Sequence, residues 1–148
     1  MSTDAQRLRD TCVARIVADV DADLADYRML IETLDALHRA LIDEARDALV
    51  LAHERAAKLV SRLQVRARRR VQYLSQAFGE ASADSMAPVL QWLDAPARQT
   101  FSARWQALQS SAARCKASNA RNLHDIGTRL QALEVVLSAV PATYAPQR

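Results

Sequence analysis

The chain has little of what turns, crosslinks or breaks a polypeptide. Its 148 residues include two glycines, four prolines, two cysteines and only 5% aromatics. With so few breakers there is no place for frequent turns. Together with abundant Ala, Leu, Arg, Glu and Gln, this points to an all-helical protein with long helices. No apolar run approaches the ~20 residues that a membrane span needs, so membrane insertion is not expected. The N-terminal residues carry no basic-then-apolar signal pattern. Cys12 and Cys115 are far apart and neither has a CxxC companion, so both read as free, packed thiols in a reducing cytoplasm. One sign of charge barely exceeds the other: 20 basic against 17 acidic residues leave +3. That balance does not by itself call for nucleic acid.

What is present is heptad-like periodicity. Half of the residues are hydrophobic, and the length suits one domain with a moderate core. In the last long stretch, residues 94–140, the seam is Phe101, Trp105, Leu108, Ala112, Cys115, Asn119, Asn122, Ile126, Leu130, Leu133, Leu137 and Val140. Steps of four and three, alternating except for two fours from Asn122 to Leu130, keep one stripe of a helix facing a partner helix. Two asparagines, Asn119 and Asn122, interrupt that apolar seam. They either set register, as a buried Asn does in a coiled coil, or hold a seam loose enough for a partner helix to exchange in.

Between residues 4 and 78 there is neither Gly nor Pro. Val20, Leu24, Tyr27, Ile31, Leu34, His38, Leu41, Ala45, Ala48 and Ala52 keep the same alternation. A single helix of that length spans about 110 Å, whereas a break near residues 37–43 gives two helices and a compact three-helix bundle. No turn chemistry is written there, which favours one long, bent helix. Gly79 suits the left-handed residue that closes a helix. Ser85 and Asp94 are expected to cap a short helix and the final one, with Pro88 and Pro96 in their first turns.

Five of the seven aromatics (Tyr73, Phe78, Trp92, Phe101, Trp105) flank this connection and are expected to plug one end of a hairpin. The fold expected is all-α: a long antiparallel helical hairpin or three-helix bundle with coiled-coil-like packing and a short connecting helix. It forms a single domain, 1–148, with 79–94 as connector and 141–148 as C-terminal tail.

The candidate chemistry is sparse. Carboxylate-bridged metal sites in bundles repeat a Glu-x-x-His pair on two helices. Here Asp35 and His38 supply one such spacing, and a hydrogen-bonded core histidine explains it better. No nucleophile motif or phosphate-binding glycine loop is present. Asp19, Asp21, Asp23 and Asp26 run round the helix and read as a solvated surface. No cofactor, small-molecule substrate or catalytic residue is expected, and the protein does not read as an enzyme. Arg62, Arg66, Arg68, Arg69 and Arg70 put five positive charges into nine residues, a patch able to neutralise phosphates. They point around the helix and lack interleaved aromatics, so a solvated or partner-facing surface is the better account. The C-terminal Val135, Val136, Leu137, Val140 and Tyr144 are more apolar than a solvated end. They serve either helix-end packing or a detachable arm for a partner's amphipathic helix.

The final helix and tail resemble the FlgN-type flagellar export chaperones. The resemblance rests on Cys115, Asn119-Ala120-Arg121-Asn122, Ile126, Leu130, Leu133, Leu137 and Thr143-Tyr144. Leu41-Ile42-Asp43-Glu44, Ala48-Leu49 and Lys58-Leu59-Val60 are similar to the family's earlier helix. Leu123 stands where members often carry Gly after the second Asn, and Tyr144-Ala145-Pro146-Gln147 replaces a Tyr-Gly-x-x-Gly-like turn.

The resemblance implies a cytoplasmic chaperone. Such a protein binds the C-terminal helical region of the flagellar hook–filament junction (hook-associated) proteins, prevents their premature assembly and delivers them to the type III export gate in the membrane. It implies client contacts at Leu130, Leu133, Val136, Leu137 and Val140, and gate docking or a groove latch at Tyr144. A structural coiled-coil adaptor of a secretion apparatus, or a nucleic-acid-binding helical protein using Arg62 to Arg70, remain the readings from other classes.

Overall fold

The computed structural model describes residues 3–83 and 85–138, with the side chains of 134, 136 and 137 excepted. Helix α1 covers Thr3–Ile42, α2 Arg46–Phe78, α3 Ala87–Trp92 and α4 Ala95–Ser138, with a 3₁₀ turn at Glu80–Ser82 before α3. The described residues contain no strand. The expected all-α class, with helical hairpin and short connecting helix, is what the chain forms.

The favoured single helix over residues 4–78 is not. The chain reverses at residues 43–45, so α1 and α2 are separate antiparallel helices. The turn is a Schellman motif made without glycine. Ala45 N donates to Ala40 O (3.0 Å) and Glu44 N to Leu41 O (3.4 Å), while Glu44 takes φ +54°. Glutamate carries no sequence signal for this conformation, so nothing local announces the break. The gain lies in packing: folding back buries the apolar stripes of the two halves against each other, which a lone 110 Å rod leaves in water.

Helix α1 is the centre of the molecule, with α2 and α4 both packed on it. Arg9 Nε donates to Ala77 O (2.8 Å) at one end of the α1–α2 pair, whose other end is the turn at 43–45. Helix α4 runs parallel to α1, its residues 104, 115, 122 and 129 meeting 21, 27, 34 and 44 in turn.

The connection closes one end of this arrangement. Gly79, at φ +92°, ends α2 and donates its N–H to Ser75 O (2.9 Å). Asp94 Oδ1 accepts from Ala97 N (3.0 Å), the cap expected for α4. Helix α3, by contrast, is capped at Met86 without a side-chain hydrogen bond. The expected Ser85 stands one residue earlier, its Oγ accepting from Ala87 N (3.2 Å) in a turn. Phe101, Leu74 and Val89 join Val13, Ile16 and Val20 in the main core cluster, with Tyr73, Phe78, Trp92 and Trp105 packed against it. Phe78 meets Trp92 edge-on at 6.2 Å, and Arg9 lies over both rings. Trp92 Nε1 donates to Asp10 Oδ1 (2.8 Å). The five aromatics therefore form the plug that their positions suggested.

The acidic residues of α1 correct a second expectation. Asp19, Asp23 and Asp26 are spaced i, i+4, i+7, so they share a face, and all three are buried against α2. Asp19 receives both Arg69 Nε (3.0 Å) and Nη2 (2.7 Å). Asp23 receives Arg66 and, at 2.8 Å, Arg70 Nη1. Asp26 receives Arg62 Nη2 (2.7 Å) and Arg66. Asp21 alone turns the other way, to Arg104 of α4 (3.0 Å). The cluster read as scattered round the helix is thus a ladder of ion pairs along the α1–α2 interface. Burial works against the charge on Arg66, but hydrogen bonds from its guanidinium to Asp23 and Asp26 outweigh that and raise its pKa.

Candidate functional site: the C-terminal half of α4

Helix α4 meets α1 in two chemically different ways. In its first half the residues facing α1 are Phe101, Leu108 and Cys115, one every seven residues and all buried. Beyond Cys115 the contacts turn polar. Asn122, 2% exposed, donates through Nδ2 to Leu34 O (3.1 Å), while its Oδ1 finds no hydrogen-bond partner among the described residues. Arg121 lies 3.5 Å from Asp35, Asp125 lies 3.2 Å from His38 Nδ1, and Arg129 lies 3.2 Å from Glu44. These pairs are half-exposed, and pairs of that kind contribute about 0–1 kcal/mol each. The second half of α4 is therefore held far more loosely than the first.

The apolar residues of this half do not face α1. Leu123, Leu130, Leu133 and Val135 are 60%, 61%, 53% and 70% exposed. The seam read from the sequence ran through Ile126 and Leu130, whereas the line that meets α1 runs through Asn122, Asp125 and Arg129. The physical reason is that the contact line keeps its seven-residue repeat through Cys115, Asn122 and Arg129, whereas the apolar positions step by four twice, from Asn122 to Ile126 to Leu130, and so rotate off that line. Moreover, Arg129 already stands beside Glu44 in the α1–α2 turn. Residues 130–138 run past the end of the hairpin for about 13 Å.

The expected site residues divide accordingly. Leu130 and Leu133 sit on the free part of α4 as exposed apolar side chains. Val136 and Leu137 belong to the same helix, their side chains lying outside the description, and Val140 and Tyr144 lie outside the described residues. Of the two seam asparagines only Asn122 is buried, whereas Asn119 is exposed. His38 is half-buried and lies 3.2 Å from Asp125 of α4, but its Nδ1 makes no hydrogen bond among the described residues, so it is not the hydrogen-bonded core histidine expected. Among the described residues no three His, Cys, Asp or Glu side chains gather as metal ligands.

The sequence reading missed a groove. Leu30, Leu34 and Leu37 of α1 form its floor, His53, Ala56, Ala57 and Val60 of α2 one wall, and Cys115, Lys116 and Asn119 of α4 the other. Its volume of about 380 Å³ is in the range of ligand pockets. It exists because α2 and α4 pack mainly on α1 and the walls carry small side chains. The alanines and valine at 53–60 were the only signal, and they look like ordinary helix formers.

The family model described as FlgN protein matches residues 13–143. The chain belongs to the FlgN family. Members of this family are flagellar export chaperones, which fits a helical scaffold carrying an uncovered apolar helix end. No curated protein and no solved structure matches this FlgN-family chain. The match takes in all of α2, α3 and α4 and most of α1, so both the ion-pair ladder and the free end of α4 belong to the matched region. None of the described helices of this FlgN protein is long and apolar enough to cross a membrane.

Proposed function

We propose that this FlgN-family chain acts in the cytoplasm, binds the C-terminal helical region of flagellar hook–filament junction proteins, holds them unassembled and hands them to the type III export gate. The observation that carries this reading is the free end of α4. A helix leaves its own bundle with Leu130, Leu133 and Val135 uncovered, on a segment tied to the rest by polar, half-exposed contacts. An amphipathic client helix covers such a stripe through i, i+3, i+4 and i+7 anchors. Val136, Leu137 and Val140 extend the same stripe in sequence, and Tyr144, beyond it, is the candidate for gate docking or for latching the empty site.

The test is titration calorimetry of the full chain with the purified junction proteins of the same genome. Truncation after Ser138 and the pair Leu130→Ser with Leu133→Ser are expected to weaken binding, the pair by about 100-fold or more. Covering each leucine contributes about 1.5–3 kcal/mol. Because both leucines are exposed, stability should stay within about 0.5 kcal/mol. Wild-type affinity in both variants removes the assignment. Tyr144→Ala should spare client binding and lower affinity for the export-gate protein, and no change there removes the docking role.

A further inference from the structure

The free apolar stripe of α4 does not end where the bundle begins. Asn119 lines the groove, and Leu123, Ile126, Leu130 and Leu133 follow it at steps of four, three, four and three. One face of α4 thus leads from the groove out to the overhang, over the 19 residues from Cys115 to Leu133, a rise of about 27 Å. The opposite end of the bundle is shut by the aromatic plug, so the groove opens towards the overhang. Its floor is leucine, and its α2 wall is largely alanine and valine, which lets another helix approach closely. Among the described residues its one permanently charged lining group is Lys116, with His53 opposite, and no carboxylate lines it.

We propose that the client helix occupies this groove as well as the overhang. It lies along α4 as a fourth helix above Leu30, Leu34 and Leu37, with a carboxylate on its flank opposite Lys116. The occupant is an amphipathic helix of about five turns, apolar on one side and acidic on one edge. This extends the chaperone reading above and rests on it. It differs from that reading in placing half of the client interface on α1 and α2, not on the C-terminal segment alone.

The test uses the full chain and a purified junction protein. Val60→Glu is half-exposed in the free protein and should leave the thermal midpoint nearly unchanged. It should weaken client binding at least about tenfold, because the client would bury an unpaired charge. Lys116→Glu should weaken it by about 2- to 5-fold, the scale of an exposed ion pair, with the difference shrinking at high salt. In a Cys12→Ala, Cys115→Ala background, Asn119→Cys puts an exposed thiol on the groove wall, and saturating client should slow its alkylation by maleimide tenfold or more.

If Leu130→Ser with Leu133→Ser abolishes binding while Val60→Glu and Lys116→Glu bind normally and the thiol of Asn119→Cys stays reactive with client bound, the groove proposal is overturned and the chaperone reading stands. If the leucine pair also binds normally, the overhang assignment falls with it. Protection of the thiol in Asn119→Cys that instead grows with the concentration of the chain alone, together with a doubled mass, makes a second copy the occupant and overturns the proposal.

Discussion

Replacing Asp23 with alanine removes the carboxylate that Arg66 and Arg70 share inside the α1–α2 interface. The Asp23 side chain is 2% exposed, and those of Arg66 and Arg70 are 13% and 12% exposed. Removing one member of a pair buried to this degree costs about 3–5 kcal/mol, mostly through the charge left behind. Arg66 keeps Asp26, and the Arg70 guanidinium lies 5.4 Å from the centre of the Trp105 ring, so the lower end, about 3 kcal/mol, is the expected loss. In a chain of this length each kcal/mol moves Tm by about 2–4 °C, so the expected shift is about 6–12 °C downward. Asp21→Ala is the control. Its pair with Arg104 is 48% and 44% exposed, so it should lose no more than about 1 kcal/mol, or about 4 °C. Thermal melts and urea titrations followed by helical circular dichroism give both numbers. Equal shifts for the two variants would refute the reasoning, since solvent would then screen the ladder as fully as it screens the surface pair.

Two further outcomes follow from the local geometry. Glu44→Gly should stabilise the protein by about 0.5–1 kcal/mol, because glycine removes the cost of φ +54° while adding some unfolded-chain entropy. A lower urea midpoint would show that the turn is not strained. Burial raises the pKa of the Cys115 thiol, with Asp35 adding to it and Arg114 opposing. The folded state therefore keeps this proton to higher pH than the unfolded chain. The resulting stability is complete below the unfolded thiol value and is lost as pH rises through the folded one. The urea midpoint should fall above about pH 8.5, and fall less steeply in Cys115→Ala. Parallel curves for the two proteins would show that the thiol is not the group responsible.

The long helices, their aromatic plug, the cap at Asp94 and the prolines in the first turns were legible because each rests on local chemistry: periodicity, a side-chain oxygen before a helix, a proline in a first turn. The break after Ile42 was not, because Glu44 adopts its left-handed conformation under a constraint from the packed hairpin and not from its own preference. The ladder was missed for a related reason. Asp19, Asp23 and Asp26 do lie on one face, but charge at a spacing of four and three ordinarily marks a solvated surface. Only the arginines of α2, some forty residues on in sequence, convert that face into an interface. The leucines of α4 were picked out by composition, and Leu130 and Leu133 are exposed in the structure, although the asparagine assigned beside Asn122 to the seam, Asn119, belongs to a groove wall.

By itself the sequence determined the class and the scale: an all-α chain, almost without breakers, whose 3.5-residue stripe requires helix partners along its length, and whose C-terminal residues carry the FlgN pattern. Tertiary structure decided which stripe is covered. Helix α1 can be flanked by two long helices, and the α1–α2 hairpin ends at the level of Arg129, so among the described residues Leu130, Leu133 and Val135 have no helix to pack on. Periodicity records that a residue wants a partner. Whether the partner is present depends on where the other helices stop, and that is set by chain reversal and packing far from the residue itself.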